Sequence, residues 1–286
     1  DNELVKCIEN GGDDFLIKPV NPAILHARIY AMQRISELNH KLYEYQRNTE
    51  EEITLAKHIF ERITSRDSVK HDRLNYLNEP AGHFSGDMLV HQAVEGDRYY
   101  VMLGDFTGHG LTAAIGAIPA SDIFHTMSRK NAPLHAIAEE INKKLSTLLP
   151  TSHFLAATLI AVDFREQSLR VLNCGLPSAY LFNRDGEITD QFKSNNLALG
   201  IVGSSQYRDS VIGVEGIDTG SHFLCASDGY IEAHSPADEL YGKERLFASV
   251  KRAEATNFLG SLRADLQTFT QGKTQHDDVT IMTLSF

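Results

Sequence analysis

Tyr99-Tyr100-Val101-Met102-Leu103-Gly104-Asp105-Phe106-Thr107-Gly108-His109-Gly110-Leu111 is the stretch on which the reading of this chain turns. The run from Tyr99 to Leu103 predicts a buried strand, and that strand ends on a carboxylate beside glycine. Leu111 to Lys130 then predicts a helix, with Pro119 tolerated by a kink or an early break. A carboxylate ending a buried strand costs on the order of a few kcal/mol unless its charge is compensated. Acids also close or open apolar runs at Asp87 in Ser85-Gly86-Asp87 and Asp228 in Ser227-Asp228-Gly229, both beside glycine, and at Asp277 in His276-Asp277-Asp278-Val279-Thr280. Few basic residues stand next to these aspartates, so a hard cation is the natural partner. Acidic strand ends meeting at one point would line a site for Mg²⁺ or Mn²⁺ with oxygen. That makes the chain a metal-dependent hydrolase.

Outward from this block the pattern continues as strands and helices. Ala132 to Leu149 predicts a second helix. Phe154 to Phe164 and Leu169 to Leu172 predict a hairpin around Arg165-Glu166-Gln167, and Tyr180 to Ile188 another turning at Asp185-Gly186. Phe223 to Ala226 is a strand delivering Asp228, helices follow over roughly 243–271, and Val279 to Leu284 closes as a strand. Hairpins interrupted by helix pairs predict an α+β fold, a layered α/β/β/α sandwich of two antiparallel sheets flanked by helices.

Three further stretches precede this domain, which is assigned to 81–286. Residues 65–80, charged and rich in asparagine, read as a loop. Between Pro22 and about Thr64 there is neither glycine nor a further proline. Ile35, Leu38, Leu42, Tyr45, Thr49, Glu52, Ala56, Ile59 and Ile63 there alternate steps of three and four. This predicts a long helical linker over 24–64, a coiled coil in character, that pairs with its own copy or packs on a neighbouring domain, the alternative being a plain amphipathic spacer; the seam is weakest at Thr49 and Glu52. Residues 1–23 hold Gly11-Gly12-Asp13-Asp14-Phe15-Leu16-Ile17-Lys18-Pro19-Val20. That segment resembles the last strand of a two-component receiver domain, with Lys18 at the position of the family's lysine and room for a cis bond before Pro19. The earlier receiver strands and the phospho-acceptor do not precede it, so 1–23 is read as a receiver's C-terminal remnant.

Composition narrows the function classes. Lys plus Arg is 27 against 38 for Asp plus Glu, a formal charge of −11, which argues against nucleic acid or an anionic membrane as partner. No apolar run approaches a membrane span and no signal-peptide layout opens the chain. Cys7, Cys174 and Cys225 are scattered without metal-type spacing and read as reduced thiols of a cytoplasmic protein.

Taken in order, the blocks Gly86-Asp87, Gly104-Asp105-Phe106-Thr107-Gly108-His109-Gly110-Leu111 with Ala113-Ala114, Asn173-Cys174-Gly175-Leu176-Pro177, Leu199-Gly200, Ser227-Asp228-Gly229-Tyr230-Ile231-Glu232-Ala233 and Asp277-Asp278 resemble one family. They are similar to the SpoIIE/RsbU-type serine/threonine phosphatases, bacterial members of the metal-dependent 2C class. The resemblance implies two Mn²⁺ or Mg²⁺ ions per site. Asp105 would bridge both, with help from the Phe106 carbonyl, Asp228 and Asp277 would bind the second, and Asp87 would act directly or through water. Asp105 and Asp228 are the residues it makes essential to catalysis. Cations of this kind lower the pKa of water and stabilise charge on a transferring phosphoryl group. Two departures stand out: Ser85 where a second glycine is frequent, and Val90 where the family often has an acidic residue. His109 is expected to shape a turn or cap the following helix, and Asp278 to serve a structural role or support the ligands rather than be one; His83 and His276 flank the site in sequence and could equally lie on the surface.

The resemblance further implies a substrate, a phosphorylated anti-sigma-factor antagonist of the STAS type. The chain would then be the output module of a response regulator in a partner-switching pathway. The alternative is a catalytically inactive adaptor of the same shape that binds a regulatory protein. A dead domain usually loses its metal carboxylates, and this one retains Asp87, Asp105, Asp228 and Asp277.

Overall fold

The computed structural model describes residues 18–64, 72–81, 85–107, 111–203 and 207–286. Most of the receiver-like segment, together with Cys7, His83 and Gly108-His109-Gly110, lies outside the described residues. The chain divides into two compact units, Asp1–Glu52 and Ile53–Phe286.

In the first unit the Lys18–Pro19 bond is cis. Helix α1 (Pro22–Thr64) starts at a well-formed N-terminus. Asn21 Oδ1 accepts the Ala23 amide at 2.9 Å, and Pro22 occupies the first helical position, where its missing N–H costs nothing. Of the heptad positions, Ile35, Leu38, Leu42 and Tyr45 are all more than half exposed on this unit, at 58%, 56%, 56% and 72%.

The second unit is built on two five-stranded antiparallel sheets. Its strands are β1 (Leu74–Glu79), β2 (Asp87–Val94), β3 (Arg98–Phe106), β4 (Leu155–Asp163), β5 (Ser168–Cys174), β6 (Ala179–Phe182), β7 (Ile188–Phe192), β8 (Ile212–Val214), β9 (His222–Ala226) and β10 (Val279–Ser285). One sheet runs β1-β10-β9-β6-β7 and the other β2-β3-β4-β5-β8. Helices α2 (Leu111–Arg129) and α3 (Leu134–Leu148) join the halves of the second sheet, while α4 (Asp228–Ile231), α5 (Gly242–Arg252) and α6 (Phe258–Thr270) lie between β9 and β10 in the chain.

Alternation along the strands sorts side chains into three cores. Met88, Val90, Met102 and Phe106 pack with Phe124, Ile137 and Ile141 of α2 and α3, joined by Ala56 and Phe60 from the end of α1. Leu89, Val101 and Leu103 face Phe223, Cys225 and Met282 between the sheets. Phe182, Leu224 and Ile281 pack with Leu246, Val250, Leu262 and Leu266 of α5 and α6. The result is the α/β/β/α sandwich that the sequence pattern predicts. Cys174 and Cys225 are free thiols in these cores, and burial pushes each up to about 12.

One expectation is corrected. Residues 65–80 were read as a loop, yet Leu74–Glu79 forms β1, paired antiparallel with β10 from Leu74–Leu284 to Glu79–Val279. Asn75 and Asn78 are turn-prone residues, and cross-strand pairing overrides their local preference. Pro119 breaks nothing: it lies inside α2, which runs through it. The hairpin between β4 and β5 is as read, its turn held by Asp163 Oδ1, which accepts the Arg165 and Glu166 amides at 3.0 Å.

Candidate functional site

The pairing of β2 with β3 sets Asp87 directly opposite Asp105, at the first residue of one strand and the last but one of the other. On the facing sheet, the antiparallel pairing of β9 with β10 brings the end of one to the start of the other. Ser227 N–H donates to the Thr280 carbonyl at 2.9 Å just past that pairing. Asp228 therefore leaves β9 where Asp277 and Asp278 lead into β10. Both sheets present carboxylates at the same edge of the sandwich.

Two backbone devices hold this edge together. Asp278 Oδ2 accepts the Gly86 amide at 2.6 Å and its Oδ1 accepts the Ala81 amide at 2.8 Å, fastening the lead into β10 to the lead into β2. Gly229 is required by close approach, since a Cβ there would stand 2.1 Å from the Asp278 carbonyl oxygen. On the other side, Phe106 N–H donates to the Gly86 carbonyl at 3.2 Å, and Thr107 Oγ1 accepts the Phe154 amide at 2.9 Å. The Phe106 ring lies in the helix-side core, where a Cβ on Gly116 of α2 would meet its rim at 2.5 Å.

The electrostatics are those of uncompensated acids. Asp87 is almost fully buried, and its Oδ2 has no hydrogen-bond partner among the described residues. Burial, then the Asp105 charge, push its carboxyl up to about 8, and the Thr280 and Ser227 hydroxyls offset only part of that. Asp105 is pushed up to about 7 by burial first and then by the charges of Asp228, Asp277 and Asp278. Burial likewise raises Asp277, against the pull of the Asp278 amide, which donates to its Oδ1 at 2.8 Å. Among the described residues, no lysine or arginine contributes to any of these shifts. Asp228 Oδ1 accepts the Gly229 amide at 2.9 Å.

The structure thus brings Asp87 and Asp105 together, with Asp228 and Asp277 near enough for their charges to act on Asp105. Among the described residues, no three His, Cys, Asp or Glu side chains close on a common point as a finished ligand set. The donor chemistry nonetheless fits a hard cation. The side-chain donors are all carboxylate oxygens, one of them buried without a partner among the described residues, in a field that only positive charge would relieve. The Val90 side chain is buried in the helix-side core, with Met88 and Met102. Asp278 is the structural carboxylate expected of it, and the His276 ring meets that of His234 edge-on at 5.1 Å. Sequence reasoning missed Asn142, whose side chain binds the Gly200 amide at 2.8 Å and the Val202 carbonyl at 2.7 Å, anchoring the segment around Leu199-Gly200 to α3. An asparagine facing inward on an apolar helix was its one signal.

With this geometry in place, comparison with known proteins is informative. The Stage II sporulation protein E (SpoIIE) family model matches residues 95–286. The phosphoserine phosphatase RsbP of Bacillus subtilis is 22% identical over 143 residues, 48% of this chain and 35% of RsbP. The SiaA-PP2C domain of Pseudomonas aeruginosa superposes with a TM-score of 0.71 at 22% identity, covering 85% of this chain and 98% of that domain. RsbX in complex with magnesium gives a TM-score of 0.54 at 16% identity, covering 77% of this chain and 99% of RsbX. The chain spans about a third of the length of the curated relatives it matches, 37% and 35%. Among the described residues no helix is long and apolar enough to cross a membrane. The family match runs from β3 to the end of β10 and includes Asp105, Asp228 and Asp277, and it places this chain in the SpoIIE family.

Proposed function

We propose that this domain is a metal-dependent protein serine/threonine phosphatase. The observation that carries the reading is the pairing of buried Asp87 with Asp105 in the field of Asp228 and Asp277, with no lysine or arginine among the described residues contributing to their shifts. In this reading Asp105 and the Phe106 carbonyl, Asp228, Asp277 and Asp87 hold two Mn²⁺ or Mg²⁺ ions. Bound cations supply Lewis acidity, easing deprotonation of water and balancing phosphoryl charge. The protein's own contribution is positional. The strand pairing fixes Asp87 against Asp105, Asp278 fixes the two sheet edges, and burial keeps the carboxylates poorly solvated so that a cation is strongly favoured. The magnesium complex of RsbX supports a hard cation, and the phosphoserine phosphatase RsbP supports a phosphoserine substrate.

The wider reading has the chain acting in the cytoplasm as the output module of a response regulator. Its substrate is a phosphorylated STAS-type anti-sigma-factor antagonist, and it dimerises through α1. The exposed run Ile35, Leu38, Leu42 and Tyr45 supports the last point.

Phosphate release from a panel of phosphoserine and phosphothreonine proteins tests the activity. Release should require Mn²⁺ or Mg²⁺, stop with excess chelator, and be lost in Asp105→Asn and Asp228→Asn with the fold retained. Binding of a partner with no release under any metal would favour the adaptor reading instead.

A further inference from the structure

At the other end of β3 from Asp105 lies a cavity of about 160 Å³ lined by Arg98, Tyr100, Ala161, Asp163, Ser168 and Arg170, among others. Strand pairing explains why these residues meet. Arg98 stands opposite Asp163, which stands opposite Ser168, while Tyr100 stands opposite Ala161, which stands opposite Arg170. Residues directly opposite or two apart share a face, so all six project from the same side of the sheet. Asp105 lies seven positions beyond Arg98 on β3, roughly 23 Å of extended strand.

The chemistry of this cavity is the reverse of the carboxylate edge. Arg98 donates through Nε to the Glu95 carbonyl at 3.0 Å, which fixes its stem and leaves both terminal nitrogens available. Among the described residues neither Arg98 nor Arg170 has an ion-pair partner. Asp163 is the nearest acid on the lining, and its Oδ1 is engaged by the Arg165 and Glu166 amides. Both guanidinium groups act on the Tyr100 hydroxyl, favouring its ionised form against the effect of burial. Neither that hydroxyl nor the Ser168 hydroxyl has a hydrogen-bond partner among the described residues. Two like charges sharing a cavity with two unused hydroxyls, in a chain of net charge −11, call for an anion. A carboxylate is satisfied by one guanidinium fork. Two guanidiniums and two hydroxyls set around one cavity match the several acceptor oxygens of a tetrahedral oxyanion.

We propose that this cavity is a binding site for phosphate or a small phosphomonoester, remote from the carboxylate edge and independent of its chemistry. Calorimetric titration with inorganic phosphate tests it on the metal-free chain at low salt, with melting curves to verify folding. Saturable one-to-one binding is expected, weakened about tenfold or more in Arg170→Ala and in Arg98→Ala and unchanged in Asp105→Asn. Arg170 is exposed on β5, so its variant stays informative if Arg98→Ala does not fold. Methylphosphonate, which keeps the dianion on a carbon and cannot be hydrolysed, separates the sources. Equal affinity assigns the site to esterified phosphoryl groups, and markedly weaker affinity assigns it to free phosphate. The proposal is overturned by no saturable binding, by affinity unchanged in Arg170→Ala, by loss in Asp105→Asn, or by malonate binding more tightly than phosphate.

Discussion

The Gly86 amide donates to Asp278 Oδ2 at 2.6 Å across 192 residues of sequence, joining the lead into β2 on one sheet to the lead into β10 on the other. The same carboxylate accepts the Ala81 amide through its second oxygen. A charged acceptor filled on both oxygens by backbone donors is worth more than two neutral hydrogen bonds.

Asp278→Asn therefore replaces one acceptor oxygen with a donor that faces an amide N–H. A loss of about 2–4 kcal/mol is expected. Urea unfolding monitored by circular dichroism measures it, and stability within about 0.5 kcal/mol of wild type, the range of ordinary surface changes, would sink the assignment. Phosphate release should fall as well, because Gly86 precedes Asp87.

Gly229→Ala places a methyl group 2.1 Å from the Asp278 carbonyl oxygen and 3.0 Å from its carbonyl carbon. Backbone on both sides cannot give way as a side chain tip would. Destabilisation of roughly 2–3 kcal/mol is expected, and thermal melting of the variant should show it directly.

A pH signature belongs to Asp87 in the metal-free chain. Its folded-state value of about 8 lies above its ordinary 3.8, so between those limits the folded state holds a proton that the unfolded state has released. Its contribution to stability is present at low pH and declines as pH rises toward 8. Asp105, at about 7, acts in the same direction. Asp87→Asn removes the titrating group. The variant should match wild type near pH 4 and melt higher by several degrees near pH 8, about 2–4 °C for each kcal/mol in a domain of this size. A difference that shrinks with rising pH contradicts the picture. Saturating Mn²⁺ should reverse the order, since the cation favours the charged carboxylate.

How much of this was legible beforehand depends on the range of the interaction. Asp105 and Asp228 could be read because strand, acid and glycine are neighbours in sequence, and the hairpin at Arg165-Glu166-Gln167 because its turn is local. The strand Leu74–Glu79 could not, since its asparagines argue locally for a turn and only β10 makes it a strand. The fit of Gly116 over the Phe106 ring and the reach of Asp278 to Gly86 are tertiary contacts without a local signature. The heptad spacing is legible as a helix that pairs with a copy or packs on a neighbouring domain, and Ala56 of that seam, with Phe60, joins the helix-side core; Phe60 lies off the seam and has no such signature.

Assembly offers a test apart from catalysis. If Ile35, Leu38, Leu42 and Tyr45 form a seam between copies, Leu38→Glu with Leu42→Glu should dissociate the dimer, because facing carboxylates buried in a seam repel. Light scattering after size exclusion should show the wild type at twice the mass of the variant. A wild type that stays monomeric at high concentration rules the seam out.

The carboxylate edge draws Asp87 and Asp105 from one sheet and Asp228 and Asp277 from the other, so neither sheet contains a site of its own. What sets the spacing across the gap is the stack between the sheets, where Leu89, Val101 and Leu103 meet Phe223, Cys225 and Met282. Those apolar side chains act as shims. If the acids hold a cation as proposed, trimming one of these side chains should alter the gap between acids several residues away, and with it the affinity for an ion that the hydrocarbon never touches.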